Sequence, residues 1–82
     1  MKRNKILLDL NIILDVFLKR EPFFQDSYKV FDLCYSQKIH GIIAAHSLST
    51  LWYVLRKHLS DEDCRKIISS LLNSFEIAQI DK

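Results

Sequence analysis

Short apolar runs alternate with pairs of helical patterns along this chain, and that alternation restricts the folds it can adopt. The apolar runs are residues 5–10, 42–45 and 76–80. Two segments with apolar residues at helical spacing separate each run from the next. Because buried strands joined through helices usually pair in parallel, the order predicts an α/β fold with a short parallel sheet and helices on its faces.

Four helices are predicted. Asn11 is a natural N-cap for a first helix that continues to about Arg20, and a second helix spans about residues 25–37. Ser47 is predicted to open the third helix. Ser60, followed by three acidic residues, is a strong start signal for the fourth helix, since acids favour the positive end of the helix dipole.

Composition limits the class of protein. The chain has 82 residues, enough for one small domain, and it is 49% hydrophobic with a single Gly and a single Pro. Such a chain is neither a disordered segment nor an all-β meander, which needs many turn residues. The net charge of +2 permits nucleic-acid binding but does not indicate it, because nucleic-acid modules usually carry a clear basic patch.

The predicted location is the cytoplasm. The apolar run after the basic start is interrupted by Asp9 and Asn11, so it is not a secretion signal, and no segment is long enough to span a membrane. Cys34 and Cys64 fall in helical patterns without metal-ligand spacing and are expected to be buried thiols rather than a disulfide. Free thiols fit a reducing compartment.

Asp9 is the first candidate site residue, because it lies near the end of an apolar strand. A carboxylate among Ile and Leu is costly to bury without a partner. An acid at the carboxyl end of a parallel strand, however, lies where open α/β sheets bind ligands. The residues alone support a helix cap or local hydrogen bond as well as they support a site.

Two segments carry a resemblance to a known family. The first is residues 5–19, Lys-Ile-Leu-Leu-Asp-Leu-Asn-Ile-Ile-Leu-Asp-Val-Phe-Leu-Lys, followed by the turn Arg-Glu-Pro-Phe. The second is residues 43–57, Ile-Ala-Ala-His-Ser-Leu-Ser-Thr-Leu-Trp-Tyr-Val-Leu-Arg-Lys. In this order they resemble the N-terminal part of a PIN domain. The resemblance implies a single PIN-like domain over residues 1–82, a three-layer α/β/α fold truncated after the third strand and lacking the family's C-terminal portion.

The resemblance also implies an activity. Members of the family are typically Mg²⁺- or Mn²⁺-dependent endoribonucleases, and many bacterial members are the toxin of a toxin–antitoxin pair. Their acids surround a hard divalent cation, which prefers carboxylate oxygens and activates water for attack on a phosphodiester. RNA as substrate and an antitoxin protein as partner are therefore implied.

Three positions match the family's site. Asp9 matches its first acid, a metal ligand, and Asn11 matches the polar residue that supports the site while capping the first helix. The family's second acid, a Glu, is replaced here by Thr50, which also removes the capping-box partner of Ser47. The remaining acids belong to the C-terminal portion, and Asp81 is not expected to replace them. Since one carboxylate holds Mg²⁺ weakly, these residues alone are not expected to form a competent nuclease.

Two interpretations therefore stay open. One is a metal-dependent endoribonuclease that is incomplete or inactive as this chain, and the other is a catalytically dead PIN-like binding or dimerisation module. In the family the first strand lies inside the sheet, so here one of its edges is expected to be bare. A homodimer that covers this edge is predicted, because bare apolar edges aggregate. Trp52 is expected in the core, and the scattered basic pairs are expected to be surface charge.

Overall fold

Two pairs of helices connect three strands in this protein, in a computed structural model that describes residues 4–79. The elements are β1 (Lys5–Leu7), α1 (Leu10–Phe17), α2 (Phe24–Tyr35), β2 (His40–Ala44), α3 (Ala45–Leu55), α4 (Asp61–Ser74) and β3 (Glu76–Ala78). The strands form one parallel sheet in the order β1-β2-β3. The predicted α/β class and parallel sheet are confirmed.

The core forms where the helices pack on the central strand β2. Ile43 of β2 pairs with Ile77 of β3 and is fully buried. The helices contribute further fully buried side chains, namely Ile13, Cys34, Leu51, Leu55, Cys64 and Leu71. Each buried Leu or Ile stabilises the fold by about 1.5–3 kcal/mol, so these contacts dominate the stability of so small a chain.

β1 lies at one edge of the sheet, in agreement with the bare edge expected for it, but its residues are exposed or half-buried although the sequence run is apolar. Within residues 4–79 it pairs with β2 alone, from Lys5 opposite His40 to Leu7 opposite Ile42. The Leu7 side chain is 53% exposed. An apolar run alone does not distinguish an edge strand from a central one, because both can carry the same residues.

The first two helices end earlier than predicted, and both end in the same backbone motif. Lys19 and Gln37 have positive φ values of 51° and 69°. The next N–H along the chain then donates to a carbonyl in the last helical turn, from Arg20 to Asp15 at 3.0 Å and from Lys38 to Leu33 at 3.0 Å. This is the Schellman arrangement, in which Gly usually occupies the positive-φ position.

α3 and α4 differ in whether a side chain caps the first turn of the helix. α3 begins at Ala45 with Ala44 as its N-cap, so Ser47 lies inside the helix and is not the cap that the sequence suggested. The predicted cap of α4 is confirmed, since the Ser60 hydroxyl accepts a hydrogen bond from the Asp63 N–H at 3.1 Å. α3 thus begins directly after β2, from the extended residue Ala44 and without a side-chain cap.

Close packing explains the position of the single glycine. A Cβ on Gly41 would lie 2.6 Å from the Phe75 ring and 2.8 Å from the Cys34 Cβ. Cys34 and Cys64 are free, buried thiols, as predicted. Burial raises the pKa of the Cys34 thiol. Within residues 4–79, no helix is both long and apolar enough to cross a membrane.

Candidate functional site at the carboxyl end of the sheet

β1 and β2 end side by side, and each leads directly into a helix. Leu7 lies opposite Ile42, and the Leu8 N–H donates to the Ile42 carbonyl at 2.8 Å. Asp9, two residues after β1, is the N-cap of α1, and Ala44, the last residue of β2, is the N-cap of α3. The N-termini of α1 and α3 therefore lie at the same edge of the sheet. Unpaired N–H groups and helix dipoles there favour negatively charged ligands.

Asp9 is exposed at this edge and caps α1. Its Oδ2 accepts a hydrogen bond from the Asn11 N–H at 3.1 Å. Its Oδ1 has no protein partner among residues 4–79. The cap is thus Asp9 and not Asn11, which corrects the sequence expectation. Both residue types cap helices well, and the helix begins one residue after Asp9, which leaves Asn11 in the first turn.

Asn11 connects Asp9 to a second polar group. Its side-chain Oδ1 and its backbone carbonyl accept hydrogen bonds from Nη2 of Arg20, at 3.4 Å and 3.2 Å. The supporting position predicted for Asn11 therefore has two contacts, one through its N–H to Asp9 and one through its oxygens to Arg20.

Sequence reasoning missed Asp15, the acid that holds Arg20. Asp15 is 7% exposed, its Oδ1 accepts from Arg20 Nε at 2.9 Å, and its Oδ2 accepts from the Ser27 hydroxyl at 2.7 Å. A buried carboxylate of this kind is tolerated because both oxygens are satisfied. One signal was available, since Ser27 lies on the apolar face of the second helix and a buried hydroxyl needs a partner.

Thr50, the position at which the resemblance implies a missing acid, carries no charge. It lies in α3, is exposed, and its hydroxyl donates to the His46 carbonyl at 3.4 Å. Because α3 begins at Ala45, a Glu at this position would not form a capping box with Ser47. The expectation that Thr50 removes a capping-box partner of Ser47 is therefore wrong.

The donors that residues 4–79 bring to this edge do not complete a site for Mg²⁺. Asp9 offers one free carboxylate oxygen, Asn11 shares its amide oxygen with Arg20, and Thr50 is neutral. Among those residues no group of three His, Cys, Asp or Glu side chains is placed to hold a metal ion. Asp81 lies outside the described residues. Mg²⁺ demands near-octahedral oxygen geometry, so Asp9 fits as one ligand and not as a whole site.

Trp52 packs against the core, and the cations Arg56 and Lys66 lie on the surface in exposed ion pairs, as predicted. Trp52 is partly buried against the core, with the Arg56 guanidinium 5.9 Å from its ring centre. Arg56 also lies 3.6 Å from Asp61, and Lys66 lies 3.3 Å from Glu62. Such exposed pairs contribute little to stability, but they leave these cations partly neutralised.

The geometry defines an α/β protein whose candidate site lies at the carboxyl end of a parallel sheet. The family model of the PIN domain matches residues 5–82, nearly the whole chain, and the chain belongs to the PIN domain family. This is a nuclease-type family whose members in general act on RNA and depend on metal ions. No curated protein and no solved structure matches the chain significantly.

Proposed function

We propose that this chain is a PIN-type endoribonuclease domain in which Asp9 is one ligand of Mg²⁺ or Mn²⁺. The observation that carries the proposal is the free Oδ1 of Asp9, exposed where β1 ends beside the start of α3. This is the position of the family's first acid. The carboxylate is oriented by the Asn11 N–H, which leaves one oxygen for a cation.

The structure also supports a weak site. Residues 4–79 place no group of three His, Cys, Asp or Glu side chains around a cation, and Thr50 stands where the resemblance implies an acid, so the cation is bound loosely. The N-terminus of α3, which has no side-chain cap, offers N–H groups to an RNA phosphate. We therefore expect slow cleavage of RNA by this chain.

The second candidate function is RNA or protein binding without hydrolysis, and Thr50 favours it. A hydroxyl that bonds to its own helix cannot replace a carboxylate at a cation. Partners for such a module are an antitoxin protein or a second copy that pairs along the bare edge of β1, where Leu7 is exposed. A stable monomer in sedimentation at micromolar concentration would count against the pairing of two copies along β1.

Cleavage of fluorescently labelled single-stranded RNA in Mn²⁺ tests the first candidate. Wild-type protein is expected to cleave slowly, and EDTA or the substitution Asp9→Asn is expected to abolish cleavage. The Asn variant keeps a capping oxygen, so loss of activity cannot be ascribed to unfolding. RNA binding without any Mn²⁺-dependent cleavage would support the binding module instead.

Growth of bacteria that express the chain tests the toxin role. A toxin of this family is expected to arrest growth, and Asp9→Asn is expected to relieve the arrest at equal expression. Growth arrest that persists with Asp9→Asn would show that the toxicity does not depend on the Asp9 carboxylate.

A further inference from the structure

A cleft of about 410 Å³ lies next to the Asp9 site, between the end of α1 and the start of α2. Its lining combines one cation, two acids, an amide and an aromatic ring, contributed by Arg20, Asp15, Glu21, Asn11 and Phe23. Asn11 belongs to both places, since its N–H donates to Asp9 and its oxygens accept from Arg20. The cleft and the Asp9 site are therefore neighbours that share Asn11.

Hydrogen bonds hold two of the three guanidinium nitrogens of Arg20. Its Nε donates to buried Asp15 and its Nη2 donates to Asn11, whereas its Nη1 has no protein partner among residues 4–79. The Arg20 side chain is still 41% exposed. A guanidinium fixed in this way presents preorganised N–H donors to a planar acceptor at little entropic cost.

Phe23 supplies a flat apolar surface at the mouth of the cleft. It immediately precedes α2 and is 61% exposed. A single exposed Phe is ordinary on a protein surface. Here it lines the same cleft as the oriented guanidinium, and this pairing of a ring with a fixed hydrogen-bond donor is suited to a base that stacks and is read at its edge.

The charges in the cleft select a base rather than a phosphate. Arg20 is outnumbered by the carboxylates of Asp15 and Glu21, so the lining is net negative and repels an anion. A neutral base is not repelled. Guanine matches the polar groups best, since its O6 accepts from the open Nη1 of Arg20 while its N1–H and N2–H₂ donate to Glu21.

We propose that this cleft is a subsite for one unpaired guanine of RNA, stacked on Phe23 and bound at its edges by Arg20 and Glu21. The proposal rests on the proposed function, because it requires that the chain bind RNA. It adds a base preference next to the Asp9 site, where the phosphodiester to be cut would lie.

Fluorescence anisotropy in EDTA tests the subsite without any contribution from a metal ion. The probes are a labelled oligouridylate and the same oligomer with one guanosine or one adenosine. Wild-type protein is expected to bind the guanosine oligomer more tightly than the other two. Phe23→Leu is expected to weaken that binding by about 5- to 100-fold. Glu21→Gln is expected to lower the preference for guanosine over adenosine by about tenfold.

Tyr53→Leu is the matched control, because Tyr53 is a similarly exposed aromatic, at 63%, and does not line the cleft. It should leave all three affinities unchanged. Circular dichroism is expected to show the same fold for every variant, since the replaced side chains are exposed. Equal affinity for the three oligomers, or Phe23→Leu binding like wild type, would overturn the subsite while leaving RNA binding intact. No RNA binding by wild-type protein would overturn the subsite and the proposed function together.

Discussion

The Asn11 N–H donates to the Asp9 carboxylate at 3.1 Å, so the first acid of the candidate site is also the cap of α1. Oδ2 of Asp9 caps the helix, and its Oδ1 has no hydrogen-bond partner among residues 4–79. A change at Asp9 therefore affects both the stability of α1 and the proposed binding of a cation, and the two effects can be separated by the choice of substitution.

Asp9→Ala should lower the free energy of unfolding by about 1 kcal/mol, because Ala cannot accept the Asn11 N–H. Asp9→Asn should change it by only a few tenths of a kcal/mol, since the Asn amide oxygen can accept the same bond. Urea unfolding of the three proteins measures both values. Equal stability of the Ala variant and wild type would contradict the capping role of Asp9.

Thr50→Glu should raise the affinity for Mn²⁺ by about tenfold or more, because it returns a carboxylate to the edge where Asp9 lies. RNA cleavage should increase with it. Thr50→Gln, which has nearly the same size and no charge, is the control and should behave like wild type. If the Glu and Gln variants bind Mn²⁺ equally, α3 does not bring this position to the cation.

Ser27→Ala should lower the free energy of unfolding by about 1–3 kcal/mol, because it leaves Oδ2 of buried Asp15 without its hydroxyl partner. Ser69→Ala, at an exposed position of α4, should change stability by less than about 0.5 kcal/mol. Thermal unfolding of both variants checks the difference. Similar melting temperatures would mean that Asp15 does not depend on Ser27.

Glu76 should make stability fall at acid pH. A hydrogen bond from His40, followed by the charges of His40 and Lys5, lowers the pKa of Glu76 below its usual value of 4.5. A carboxyl with a lowered folded-state pKa stabilises the fold above the unfolded value, and this contribution is lost as the pH falls through the folded value. Relative to Glu76→Gln, wild type should therefore lose stability as the pH falls below about 4.5. A difference that is constant from pH 7 to pH 3 would contradict this.

Much of the fold could be predicted from local patterns. The three apolar runs, the four amphipathic segments and the Ser60 cap are local signals, and each produced its element. The helix ends were missed because the positive-φ positions that terminate α1 and α2 are occupied by Lys19 and Gln37 rather than Gly. Without that glycine, the helical pattern continues past the point where the backbone turns.

The candidate site was less predictable than the fold. Asp9 was identified from its place after a strand, and the structure puts it at the carboxyl edge. The group of Asp15, Arg20 and Ser27 could not be derived, because it joins the C-terminal part of α1 and the residue Arg20 that follows it to a residue of α2. Spacing along one helix does not reveal which acid turns inward when its partner comes from another element.

A titration of Mn²⁺, followed by the loss of its free-ion signal in electron paramagnetic resonance, tests the role of Asp9 most directly. Wild type and Asp9→Asn share every other acid, including Asp61, Glu62 and Asp63 at the start of α4, so nonspecific binding is the same in both. Our account predicts that wild type binds one ion more tightly than Asp9→Asn by about tenfold or more. Identical titrations would contradict Asp9 as a metal ligand.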